Sequence, residues 1–248
     1  MTRTRTIALA VFAMAALAIG GYVAYDQILR GDDVTALTLP TQAPASADAS
    51  APPASQDATS ATPATETDVA GEWQVGADSV AGYRVRERLA NLPAESDAIG
   101  RTSDVTGSIT VEAAGDGARL TAGTLNVDTT TIVSDESRRD NRLRSEGLQT
   151  DEFPTATFVV TQPVDVPAAA LAGTATDITL VGDLTLHGVT NAVEIPAQAQ
   201  LSGGKIQVAG SLTFALADFD ITAPNVGGFI ISIADEGALE FLVNFEKA

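Results

Sequence analysis

Two hundred and forty-eight residues, 45% of them hydrophobic, suffice to bury a core in one or two domains, and the uneven composition favours one. Fourteen Lys and Arg against 32 Asp and Glu leave a formal charge of −18, which opposes nucleic-acid binding because that affinity rests on neutralising phosphates. With no cysteine, one histidine (His187) and two methionines, the chain offers little for disulfides, thiolate catalysis, iron–sulfur or zinc-finger ligation, or a multi-histidine metal site.

Arg3 and Arg5 precede an uncharged run of 19 residues without proline, Ile7 to Tyr25. As a helix it would span about 28 Å, close to the roughly 30 Å hydrocarbon core of a bilayer. The arginines orient its N-terminus toward the cytoplasm. Residues 1–30 are thus expected to form a signal-anchor or transmembrane helix. The chain would then be a single-pass protein of the cell membrane with its remainder extracytoplasmic. Ala16-Leu17-Ala18 offers a cleavage site, and cutting there would leave a secreted protein; the length of the run favours the anchor.

Residues 31–70 are expected to be a disordered linker rich in Ala, Pro, Ser and Thr. Between Pro40 and Ala70 lie five of the chain's eleven prolines, with no aromatic and no basic residue. Such a stretch buries too little apolar surface to offset the entropy of ordering.

From Gly71 to Ala248 the pattern becomes short apolar alternations broken by Gly, Asp, Asn or Pro. Tyr83 and Val85 share one face; so do Val105, Gly107, Ile109 and Val111; so do Ala156, Phe158 and Val160. Leu184 and Leu186 follow, then Val193 to Leu201 at every second position, Leu212 to Leu216, Phe229 to Ile233, and Leu239 to Phe245. Eight strands with one apolar face each, and no crossover helices between them, predict an all-β antiparallel sandwich or closed barrel. One helix is predicted from a Ser134 cap to about Ser145, stopping near Gly147, with Asp135 and Glu136 in its first turn.

Three stretches resemble the YceI family of secreted or periplasmic lipocalin-like barrels that hold polyisoprenoid lipids. Residues 127–160 carry Arg139, Asp140, Leu143, Phe153, Pro154 and Phe158 at the matching places. Residues 180–200 match a Gly-x-Leu-Thr-x-His-Gly-Val-Thr hairpin through Gly182, Leu184, Thr185, His187, Gly188, Val189 and Thr190. The opening strand contributes Trp73, Asp78, Ser79, Tyr83, Arg84 and Val85. The chain departs from the family at Asp78, where His is common, and at Gly147-Leu148-Gln149, where an aromatic pair is common. Residues 87–102 also look longer than a minimal strand connection.

The resemblance implies an eight-stranded lipocalin-like barrel over residues 71–248 and a non-enzymatic role. That role is binding, storage or transport of a polyisoprenoid, quinone-like or polyprenyl, with no cofactor besides the lipid itself. The expected apolar lining is Tyr83, Val85, Ile109, Phe158, Leu184, Leu186, Ile195, Phe214, Ile231, Phe241 and Val243. The same residues would equally form a dry, solid core, and the barrel would then be an extracytoplasmic interaction or stress-response module working through its surface.

The polar candidates carry competing roles. Arg138, Arg142 and His187 are the candidate head-group contacts, and Arg138, Arg139, Arg142 and Arg144 as a cluster could clamp a phosphate or pyrophosphate, since guanidinium and imidazole groups bind polar oxygen. Helical spacing also pairs Asp135 with Arg139, Asp140 with Arg144, and Arg142 with Glu146. His187-Gly188 sits between two strands, where a tight hairpin needs positive φ. No catalytic constellation is present: Ser79 and Ser134 lack a serine-hydrolase context, and Asp218, Asp220, Asp235 and Glu236 lack metal or glycosidase spacing.

Overall fold

Successive side chains of an extended strand point to opposite faces, so alternation in the sequence becomes an inner and an outer wall. The computed structural model describes residues 36–40, 69–89, 95–223 and 230–248. The chain divides into two units, Met1–Ala36 and Leu37–Ala248. The expected membrane helix at 1–30 lies outside the described residues, and among the described ones no helix is long and apolar enough to cross a membrane.

The strands are β1 (Gly71–Val75), β2 (Val80–Leu89), β3 (Glu95–Thr102), β4 (Val105–Ala114), β5 (Gly117–Asp128) and β6 (Val133–Ser134). They continue with β7 (Thr155–Val160), β8 (Val164–Val166), β9 (Thr176–Leu186), β10 (Val189–Ser202), β11 (Lys205–Ala215) and β12 (Ile230–Lys247). Their pairings resolve into eight walls. β1 and β2 lie end to end along β12, β4 and β3 lie along β1 and β2, and β5 with β6 lines the far side of β4 and β3. β7, β9, β10, β11 and β12 complete the circuit, every neighbour antiparallel, with β12 returning to β1. This is the expected eight-stranded antiparallel barrel, with β8 as an extra strip against β5.

The eight arise differently from the sequence expectation. The Ile231–Ile233 and Leu239–Phe245 runs, expected as two strands, belong to one 18-residue strand. Register shifts between Ile230/Ser232 and Ile233/Gly237 divide its pattern. The missing eighth wall is β5, whose alternation is hidden by a bulge opposite Thr110/Val111. Ala118 and Leu120 face the core from even positions, while Leu125 and Val127 do so from odd ones. Of residues 87–102, those up to Leu89 end β2 and those from Glu95 form β3, an antiparallel pair running Ala81↔Thr102 to Arg88↔Glu95; residues 90–94 lie outside the described residues.

The predicted helix is shorter than expected. Helix α1 spans Ser137–Arg142 and continues as a π-helical turn, Leu143–Gly147. Its cap is Glu136, whose side chain accepts from the Arg138 amide, in place of Ser134. Ser134 belongs to β6, and its hydroxyl and amide donate to Asp140 at 2.6 and 2.9 Å. Asp140 therefore does not pair with Arg144, which donates instead to the Thr130 and Ile132 carbonyls. A second helix, α2 (Ala168–Leu171), was not expected.

The described stretches of the expected linker, 36–40 and 69–70, each hold a buried residue and a hydrogen bond to the barrel segment. Leu39 is 7% exposed, and Gln200 donates to the Pro40 carbonyl at 3.3 Å. Gln200 also donates to Gln207, which donates to Asn244, which donates to the Asp78 carbonyl. Val69 is buried and accepts from the Trp73 indole at 2.9 Å. The rest of the linker, 31–35 and 41–68, lies outside the described residues.

Candidate functional site

The inward faces do not meet in a solid core. Two cavities run through the barrel, an upper one of about 190 Å³ at the α1 end and a lower one of about 60 Å³ at the α2 end. Nine of the eleven expected lining residues surround the upper chamber: Tyr83, Val85, Phe158, Leu184, Leu186, Ile195, Phe214, Phe241 and Val243. Ile109 faces the lower chamber instead, because β4 runs from the upper chamber at Val105 down to the lower one at Ile109 and Val111. The side chain of Ile231 lies outside the described residues. Leu125, Val127, Ile132, Leu212, Leu216 and Leu239 extend the apolar wall beyond the expected set.

The polar end of the upper chamber is built on β2 and α1. Glu87 lines it, with its side chain 2% exposed, on the same inward parity as Tyr83 and Val85. A buried carboxylate needs a partner, and Arg139 supplies one across the mouth: its Nη2 donates to Glu87 Oε1 at 2.6 Å. The Arg139 guanidinium also bonds Asp135 and the Ser134 hydroxyl. The Tyr83 ring lies over Gly100 on the paired strand. Burial, outweighing the pull of Arg139, and the nearby Asp140, Glu87 and Asp135 push the Tyr83 phenol up to about 12. Neither Tyr83 Oη nor Arg139 Nε has a hydrogen-bond partner among the described residues.

The three expected head-group residues separate. Arg142 lines the upper chamber and faces Glu146 at 3.5 Å. Arg138 is exposed and off the wall, because the face of α1 that meets the barrel carries Arg139 and Arg142. His187 is off the wall too. It has φ 52° and Gly188 has φ 75°, the two central residues of a tight hairpin joining Leu186 to Val189. Its Nδ1 lies 3.1 Å from the Phe219 carbonyl and its ring meets Phe153 edge-on, with centroids 4.7 Å apart. Glu87 and Arg139 are charged wall residues missed by the expected lining and head-group contacts; the signal for Glu87 was the Tyr-x-Val-x-Glu alternation, which places a carboxylate where an apolar residue belongs.

A family model described as YceI-like domain matches residues 73–245. A UPF0312 protein of Shewanella sp. (strain W3-18-1) is 34% identical over 132 residues, covering 50% of this chain and 63% of that protein. A UPF0312 protein of Vibrio parahaemolyticus is 33% identical over 111 residues, 42% of this chain and 55% of its own length. The chain thus spans under two thirds of the length of the curated relatives it matches. Among solved structures, a polyisoprenoid binding domain from Saccharophagus degradans, implicated in plant cell wall breakdown, is similar with a TM-score of 0.55 and 20% identity. The match covers 71% of this chain and 98% of that one. Burkholderia cenocepacia BcnA follows at 0.52 and 18%, covering 68% and 98%. At these identities the likeness is one of fold.

Proposed function

Since the chain belongs to the YceI-like family, we propose that it holds a polyisoprenoid lipid in the barrel, without chemically altering it, outside the cytoplasmic membrane. The observation that carries this reading is the upper chamber, whose wall is mostly aliphatic and aromatic, with Glu87, Arg139 and Arg142 at its α1 end and Arg84, Thr129, Thr157 and Glu240 also along it. Every 100 Å² of isoprenoid removed from water there contributes about 2.5 kcal/mol, with no directional contact required. Such a wall suits a flexible hydrocarbon and offers nothing to break a bond.

The polar end takes the head group. Tyr83 Oη and Arg139 Nε are two donors without partners among the described residues. Both guanidiniums of the α1 end already have carboxylate partners, Arg139 in Glu87 and Asp135 and Arg142 in Glu146. A neutral oxygen acceptor, a carbonyl or hydroxyl, therefore suits this end better than a phosphate that would have to displace those pairs. Arg142 is a further contact in this account; Arg138 and His187 are not.

The basic-then-apolar N-terminus, residues 3–25, supports an extracytoplasmic location, either anchored by that segment or released by cleavage. The test of the carrier role is solvent extraction of the purified full-length protein followed by mass spectrometry. A long-chain isoprenoid is expected, and Leu184→Asp, which puts a charge on the wall, should come out free of it. Recovery of no isoprenoid from the native sequence, together with failure to take one up when it is offered, would overturn the reading.

A further inference from the structure

The upper chamber, at about 190 Å³, is smaller than the about 300–1,000 Å³ of ordinary ligand pockets. A long isoprenoid needs the lower chamber's about 60 Å³ as well, and displacement of the side chains that stand between the two. The two share five wall residues: Leu125, Phe158, Leu180, Phe241 and Val243. Phe158 projects from β7 and Phe241 from β12, which stand four places apart in an eight-walled ring and so face each other across it.

Each ring rests over a glycine. A methyl group at Gly182 would come within 2.6 Å of Phe158 Cζ, and one at Gly210 would come within 2.6 Å of Phe241 Cζ. Gly210 is the direct cross-strand partner of Phe241, and Gly182 lies on β9 beside Phe158. A side chain larger than hydrogen at either glycine would push the ring off this seat, so the two glycines fix where the rings stand. Below the rings the wall remains apolar, from Ile109 and Val160 to Ile206 and Phe245.

Resting on the carrier reading above, we infer that Phe158 and Phe241 are the partition that sets isoprenoid chain length. A short chain fits above the rings, and a long one must thread between them into the lower chamber. Bulk at these two positions selects length, whereas bulk elsewhere on the upper wall changes affinity for all lengths together.

The test compares binding of farnesol (three isoprene units) and solanesol (nine) to the full-length protein. In Phe158→Ala/Phe241→Ala the affinity ratio should move toward solanesol by about tenfold. Leu212→Ala, on the upper wall alone, should leave the ratio where it was. Phe158→Leu and Phe241→Leu keep most of the packing, so they carry the same test with a smaller shift if the double variant does not fold. An unchanged ratio in the Phe variants, or an equal shift in Leu212→Ala, overturns the partition while leaving the carrier role standing. Binding of neither alcohol by the native sequence overturns both.

Discussion

Glu87 and Arg139 stand 52 positions apart in the chain, yet a 2.6 Å hydrogen bond joins Arg139 Nη2 to Glu87 Oε1 at the mouth of the barrel. The pair ties helix α1 to strand β2, two elements that share no backbone pairing. With Glu87 only 2% exposed and Arg139 17%, removing the cation leaves a charge buried without compensation.

Arg139→Ala should therefore destabilise the protein by about 3–5 kcal/mol, and Glu87→Ala by less, because Arg139 keeps Asp135 as a partner. The double variant Glu87→Leu/Arg139→Met should recover most of the loss, because no unpaired charge remains. Chemical denaturation of the three variants measures this; a double variant no better than the singles would show that the pair does not act as a unit.

The Tyr83 phenol gives a pH dependence with a definite sign. Its pKa in the fold, about 12, lies above the ordinary 10.0, so the fold binds the proton more tightly than the unfolded chain does. That contribution to stability is complete below pH 10 and is lost as the pH rises toward 12. In the fragment 37–248 Tyr83 is the single tyrosine. Its tyrosinate absorbance should rise near the higher value, and a midpoint near 10 would place the hydroxyl in water.

Much of the barrel was legible because alternation survives wherever a strand keeps one register. The Val193-to-Leu201 and Leu239-to-Phe245 faces are inward as their spacing implies, and the His187-Gly188 hairpin is where two positive-φ residues were needed. β5 was illegible because its bulge shifts the inward set from even to odd positions. The mouth was half legible: Arg142 was identified, but Arg139 was read only as a partner of Asp135 or one of an arginine cluster, since local spacing says nothing of a partner on β2. Leu39 could not be found at all, because its contact with the barrel wall follows from tertiary packing alone.

That contact predicts where the protein can be cut. Loss of Leu39 from a site where it is 7% exposed should cost about 1.5–3 kcal/mol, so 37–248 should be more stable than 69–248 by that margin. Gln200 also loses its bond to the Pro40 carbonyl in the shorter form. Thermal melts of the two fragments decide the matter, and equal stability would mean that residues 37–40 contribute nothing.

The hairpin separates a turn role from a ligand role for His187. Gly188→Ala should cost at least about 1–2 kcal/mol because the position has φ 75°, and its methyl would also meet the Phe153 ring at 2.5 Å. His187→Asn, which tolerates positive φ, should leave isoprenoid uptake unchanged. Loss of uptake in a fully folded His187→Asn protein would return the histidine to the binding site.

The claim that the barrel interior is a lipid site is tested most directly by native mass spectrometry of the full-length protein mixed with a long-chain isoprenoid such as solanesol. The account predicts a single shifted species, one lipid on each chain, that persists when excess lipid is removed. A chain that stays bare at saturating lipid would contradict it.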